Sequence, residues 1–74
     1  MNLAELKRGD NAVVLRVGLE PSVCARLRSL NVYPNAKISL VKVSLFKKTY
    51  LVAAGSLLVA MRKEIAEGIR VFKT

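Results

Sequence analysis

The sequence contains no histidine and a single cysteine, Cys24, in 74 residues. One cysteine excludes a disulfide within the chain. A structural zinc site needs about four nitrogen or sulfur ligands, more than this chain supplies. We therefore expect no metal site and no cofactor, and we expect Cys24 to be a small buried apolar residue. A metal held between two chains by Cys24 and carboxylates is the open alternative.

Groupings of residues that catalyse reactions are also absent. Glu64 and Glu67 are the one local pair of carboxylates, and no glycine-rich phosphate loop is present. No serine or cysteine has a sequence neighbour that points to a nucleophile with its base. The sequence therefore argues against an enzyme.

Long apolar runs are missing as well. The longest extend over four or five residues, too few to cross a bilayer. The N-terminus has no basic region followed by an apolar segment, so no signal peptide is visible. We expect a cytoplasmic protein that does not insert into a membrane.

Acidic residues are scarce: 13 Lys and Arg face 5 Asp and Glu, for a net charge of +8. This balance indicates an acidic partner, which is a nucleic acid, an anionic membrane surface or an acidic protein face. A solvated basic surface is the plain alternative, since no run of like charge exceeds two residues. The length predicts one domain, residues 1–74.

One helix is predicted, from about residue 21 to residue 30. Its apolar face repeats at i, i+4 and i+7, as Val23, Leu27 and Leu30. Asn31 tolerates the left-handed conformation that ends a helix. Pro34 then presets a turn, and Asn35 tolerates the positive φ that a type II turn requires. This stretch launches the longest strand.

The other apolar runs read as five strands: Asn11 to Val17, Ala36 to Phe46, Thr49 to Ala54, Leu57 to Arg62 and Ile69 to Phe72. In the first, Val13, Leu15 and Val17 are expected on one face. The alternation in the second slips between residues 40 and 41, which predicts a bulge or bend. Gly55-Ser56 fits a type II′ hairpin turn.

Short strands joined by tight turns favour a closed barrel, because closure removes exposed edges. The predicted fold is mainly β: a small five-stranded antiparallel barrel of the Src-homology-3 type. One short helix between strands one and two lies across an opening. Leu3 and Leu6 are expected to plug one end of the core, and residues 63–68 are expected to form a single helical turn.

These elements and their residues resemble the FeoA family over almost the whole chain. Leu3, Leu6 and Gly9 match the family's opening motif. The segment from Arg26 to Asn35 matches its helix end, with Asn31 and Asn35 in place of two family glycines. The last part of the match runs as Ala60-Met61-Arg62 and Glu64 to Val71. The hairpin departs from the family, which usually has Pro and Gly where this chain has Leu45 to Tyr50.

The resemblance implies a non-enzymatic regulator of ferrous-iron uptake. It would contact the cytoplasmic, nucleotide-binding region of the FeoB transporter and would not itself carry iron. The same fold also occurs as a C-terminal domain of iron-dependent repressors. Because this sequence begins at Met1 with no DNA-reading helix before it, the separate accessory protein is the expected form.

Two surfaces are the candidates for partner contact. One is the exposed side of the helix and its exit, and the other is the predicted hairpin tip; their residues are Arg26, Arg28, Tyr33 and Pro34, then Phe46, Lys47, Lys48 and Tyr50. The same basic and aromatic tip could instead hold single-stranded nucleic acid. The small number of aromatic residues argues against nucleic acid. A scaffold that pairs with an unrelated protein, or with itself as a homodimer, is the third hypothesis.

Overall fold

A computed structural model describes residues 1–74 and shows a mainly β domain. Its elements follow the chain as a 3₁₀ turn at Leu3–Glu5, β1 at Asn11–Val17, α1 at Pro21–Ser29, β2 at Lys37–Val43, a 3₁₀ turn at Leu45–Lys47, β3 at Thr49–Ala54, β4 at Leu57–Arg62, α2 at Lys63–Glu67 and β5 at Ile69–Lys73. Pro21 begins α1, where its missing N–H costs no hydrogen bond. Neither helix has the length and apolar run that crossing a bilayer requires.

All five strands belong to one antiparallel sheet in the order β4-β3-β2-β1-β5. The predicted architecture of five antiparallel strands with one helix between the first two is therefore confirmed. The bounds of strands one, three and four are also as predicted, since turn residues limit each of them. Strand two ends earlier than predicted, at Val43, because the chain turns at Ser44.

Two register shifts bend the sheet. The one between Leu40 and Lys42 in β2 confirms the bulge expected from the slipped alternation. The other lies between Val14 and Arg16 in β1. The predicted common face of Val13, Leu15 and Val17 is wrong: before the shift Ala12 and Val14 face the core and Leu15 is 54% exposed, and after it Val17 packs against the core. An extra residue in a strand moves the following side chains to the opposite face.

The core is wholly apolar and contains no buried polar or charged residue. Leu27 of α1 is buried, while Val23 and Leu30 are half-buried against the core. Leu3 and Leu6 are 0% and 4% exposed, so the lead-in plugs the core as predicted. The predicted helical turn near residue 65 is α2.

The two outer strands have different surroundings. The N-terminus covers the outer edge of β5, where Asn2 forms a bridge with Arg70 and the Val71 N–H donates to the Met1 carbonyl. The sheet contains no ladder between β4 and β5. The short helix α2 connects these two strands and contacts both, and the outer edge of β4 lacks a neighbouring strand.

Candidate functional site

The hairpin tip, defined here as Ser44 to Lys48, is organised by one hydroxyl. Ser44 Oγ accepts the backbone N–H of Lys48 at 3.2 Å and that of Thr49 at 2.9 Å. The Ser44 N–H donates to the Thr49 carbonyl at 2.9 Å, which closes the loop. These bonds hold the two ends of the loop together, and the Lys48 carbonyl also accepts the Lys63 N–H of α2 at 3.1 Å.

Two residues of this tip occupy an unfavourable backbone region. Phe46 has φ 68° and Lys47 has φ 55°, in the left-handed region that favours glycine. A non-glycine residue there costs on the order of 1–2 kcal/mol. The conformation displays Leu45 and Phe46 at 81% and 80% exposure. Such strain, at a tip that exposes two large apolar side chains, makes the tip a candidate contact surface.

Tyr50 does not share this exposure. It lies in β3, pairs with Met61, and is 2% exposed. The expectation that Tyr50 belongs to an exposed tip is therefore wrong, because its position in the strand directs the ring inward. Its side chain instead lines a hollow of about 610 Å³ beside the tip, and Lys47 lines the same hollow.

Basic side chains from distant segments converge on that hollow: Lys7, Arg8, Lys42 and Lys47. Glu5 also lines it, and its carboxylate accepts the Asn2 N–H at 2.8 Å. The one ion pair of the structure joins Lys73 to Asp10 at 3.6 Å. No ion pair therefore neutralises the four basic groups, and this flank of the hairpin tip is suited to an acidic partner.

Asp10 stabilises the turn before β1. Its carboxylate accepts the Lys7 N–H at 2.8 Å, and this bond lowers the pKa of Asp10, with smaller contributions from Lys73 and the Lys7 charge. The lowered pKa keeps Asp10 ionised to a lower pH than an ordinary aspartate. Asp10 is thus engaged with the turn and with Lys73.

The helix residues predicted as a site are divided between two places. Arg28, Tyr33 and Pro34 line a hollow of about 230 Å³. Cys24 lines it too and is half-buried, and its thiol donates to the Leu19 carbonyl at 3.3 Å. Arg26 lies on another side of α1, in a groove against β4. The predicted helix surface is therefore two separate surfaces.

Sequence reasoning missed Leu45, Ser44 and most of the basic hollow. The sequence predicts Leu45 in strand two. In the structure Val43 and Tyr50 form the last pair of β2 and β3, so Leu45 lies in the loop that connects them. Basic residues of the hollow come from the lead-in and from β2, and no local pattern signals that they meet. Nowhere do three His, Cys, Asp or Glu side chains come together as metal ligands would.

The family model and a solved structure that match this chain both belong to the FeoA family. The sequence matches the FeoA domain family over residues 1–73. The FeoA protein of Chlorobium tepidum has 38% identity over 96% of this chain and 68% of its own, with a TM-score of 0.91. The search of curated proteins gave no match.

Two further structures extend the comparison. FeoA of Stenotrophomonas maltophilia, solved with zinc and described as an SH3 domain protein and a candidate activating factor for ferrous iron transport, has 28% identity and a TM-score of 0.83 over 97% of this chain and 89% of its own. A manganese-dependent transcriptional repressor contains the same fold at 20% identity and TM-score 0.88, with this chain covering 36% of it. The match over nearly the full sequence, together with the shared fold, shows that this chain belongs to the FeoA family.

Proposed function

We propose that this protein is a cytoplasmic, non-enzymatic accessory protein of ferrous iron uptake. It acts by contact with the cytoplasmic, nucleotide-binding region of a FeoB-type transporter. Membership of the FeoA family supports the pathway. The observation that carries the contact is the strained hairpin tip, where Leu45 and Phe46 are 81% and 80% exposed beside Lys47 and Lys48.

The tip has the composition of a binding hot spot with a charged rim. Burying a Leu or Phe side chain contributes about 1.5–3 kcal/mol, so Leu45 and Phe46 supply most of the affinity. Lys47, Lys48 and the neighbouring basic hollow mainly accelerate encounter with an acidic surface. The helix-exit residues Arg28, Tyr33 and Pro34 are kept in the proposal as a second contact.

The test is an NMR titration of labelled protein with the purified cytoplasmic domain of FeoB from the same organism, at two salt concentrations. We expect saturable shifts at Ser44 to Thr49. The Lys47→Glu/Lys48→Glu variant should bind about tenfold more weakly, and the loss of affinity should be larger at low salt than at high salt. The matched control is Arg16→Glu/Arg70→Glu, a cross-strand pair on β1 and β5 with the same change in net charge.

Both double variants are expected to keep the wild-type amide spectrum away from the substituted sites. Equal weakening by the two variants would mean that net charge alone drives association, and unchanged binding of the lysine variant would remove those lysines from the contact. The absence of any saturable shift would overturn the proposed transporter contact.

A second candidate, binding of single-stranded nucleic acid, is supported by the exposed Phe46 ring between basic groups. Titration with tetra-uridine and tetra-thymidine tests it. Salt-sensitive shifts at Phe46 to Lys48, together with silence toward FeoB, would favour this function over the transporter contact. We expect weak, non-saturating shifts with both oligonucleotides.

A further inference from the structure

We propose that the groove between α1 and the outer edge of β4 binds an extended segment of a partner protein as a sixth strand. The segment has apolar residues alternating with Asp or Glu. This surface is separate from the hairpin tip and does not depend on the proposed transporter contact. Unpaired strand edges beside helices are a recurrent mode of peptide recognition.

The first observation is the unpaired backbone of β4. The hairpin joins Ala54 directly to Leu57 across a two-residue turn, so the pairs Ala54–Leu57 and Val52–Val59 exchange hydrogen bonds. Leu58 and Ala60 alternate with them and direct N–H and C=O away from β3. Neither residue has a backbone partner elsewhere in the fold. Both therefore offer a ladder to an incoming chain.

The second observation is the groove itself, of about 410 Å³, with seven apolar residues among the nine that line it. Val23 of α1, Leu30 just after the end of α1 and Ile65 of α2 pack on the core but stay half-buried. An added strand would place alternate side chains against these three residues. The groove therefore selects apolar side chains at every second position.

The third observation is the charge at the rim. Arg26 from α1 and Arg62 from β4 both line the groove, and neither has an acidic partner. Side chains on the other face of an added strand would lie near Arg62, as cross-strand neighbours do. Carboxylates at these positions complement the rim. The proposed occupant is therefore an acidic strand in which apolar and carboxylate side chains alternate at every second residue.

Charge also argues against a second copy of this chain as the occupant. Each copy carries a net charge of +8, so pairing two β4 edges brings two strongly basic surfaces together. An acidic segment instead removes unfavourable charge from the rim. A five-residue strand is roughly 16 Å long, shorter than the 29 Å longest extent of the molecule, so a segment of this length can lie along β4.

The probe is the capped peptide acetyl-Glu-Val-Glu-Val-Glu-amide, added to the labelled full-length protein. We expect saturable shifts and slower hydrogen exchange at the Leu58 and Ala60 amides. Two N-methylated versions separate backbone pairing from charge attraction: one is blocked at both Val nitrogens, and the other at the nitrogens of the two Glu residues that follow a Val. In an added strand the backbone N–H groups of alternate residues point toward β4. One N-methylated version should therefore lose binding at least tenfold, and the other should keep it.

Protein variants provide the second arm. Ala60→Pro removes one outward N–H at an edge position that tolerates proline, and it should abolish binding with the fold intact. Arg62→Glu should weaken binding about tenfold, whereas Arg16→Glu, the same charge change on β1, should weaken it less than twofold. Wild-type amide spectra outside the groove confirm that each variant is folded.

Three outcomes would overturn the proposal. Equal binding of both N-methylated peptides would mean that no strand is added. Shifts confined to the basic hollow would mean that the peptide acts only as an anion. Concentration-dependent shifts at Leu58 and Ala60 without peptide would mean that a second copy occupies the edge.

Discussion

Two turns of this molecule hold non-glycine residues at positive φ, and they differ in which residues occupy those positions. The helix-exit turn uses asparagine, with Asn31 at φ 68° and Asn35 at φ 77°. The hairpin tip uses Phe46 and Lys47, two residues with no side-chain compensation for that conformation. Asparagine is the non-glycine residue that adopts this region most readily. The first turn therefore costs little, and the second is strained.

The hydrogen bonds of the two turns also differ. Asn31 ends α1 with a paired motif: its N–H donates to the Arg28 carbonyl, and the Val32 N–H donates to the Leu27 carbonyl. Asn31 Nδ2 also donates to the Ala54 carbonyl at 3.2 Å, beside Gly55. The hairpin tip is bonded to the body of the fold only at its end, where the Lys48 carbonyl accepts the Lys63 N–H at 3.1 Å, and neither Phe46 nor Lys47 has a side-chain hydrogen bond. One turn secures the structure, and the other presents side chains to solvent.

The largest expected effect comes from Asn31→Val. A β-branched residue at φ 68° adds backbone strain, and the bond to Ala54 is lost, so unfolding should become easier by about 2–3 kcal/mol. A domain of this size is stabilised by only about 3–5 kcal/mol, so part of the population would unfold. Urea unfolding measures the change.

Asn31→Gly is the control for this prediction. Glycine keeps the backbone conformation and loses only the side-chain bond, so the cost should fall to about 1 kcal/mol. If Asn31→Val were as stable as wild type, the securing role assigned to this turn would be wrong.

The second largest effect is an increase in stability. Phe46→Gly should stabilise the fold by about 1 kcal/mol, because glycine removes the strain and little apolar contact is lost at 80% exposure. In a domain of this size such a gain raises Tm by about 4–8 °C. The same variant should bind the FeoB cytoplasmic domain more weakly, since the exposed ring is gone.

Phe46→Ser separates the two contributions. It removes the ring but keeps the left-handed position strained, so binding should fall while the thermal unfolding midpoint stays near that of wild type. A loss of stability in Phe46→Gly would show that the tip is not strained, and the comparison between the turns would fail.

Sequence reasoning predicted the helix-exit turn because its signals are local. Asn31, Pro34 and Asn35 each restrict their own backbone, so their order is enough to predict a helix end followed by a type II turn. The bulge in β2 was predictable for the same reason, since a slipped alternation is visible within a few residues.

The hairpin tip and the basic hollow could not be predicted in this way. Phe46 and Lys47 have no intrinsic preference for positive φ, and the bonds of Ser44 impose it. Lys7 and Lys42 meet only after the sheet has formed. The second bulge, at Leu15 in β1, was missed because Val13, Leu15 and Val17 alternate regularly in the sequence.

The smallest expected effect tests whether the two asparagines are equivalent. The Asn35 N–H donates to the Val14 carbonyl at 2.7 Å, a bond that glycine would also make, and the side chain has no partner in the structure. Asn35→Gly should therefore change the free energy of unfolding by no more than about 0.5 kcal/mol. Asn35→Ala, the control, should cost about 1 kcal/mol because alanine resists φ 77°. A cost for Asn35→Gly as large as that for Asn31→Gly would mean that the Asn31 side-chain bond to Ala54 adds nothing, and that backbone conformation alone distinguishes the helix-exit turn from the hairpin tip.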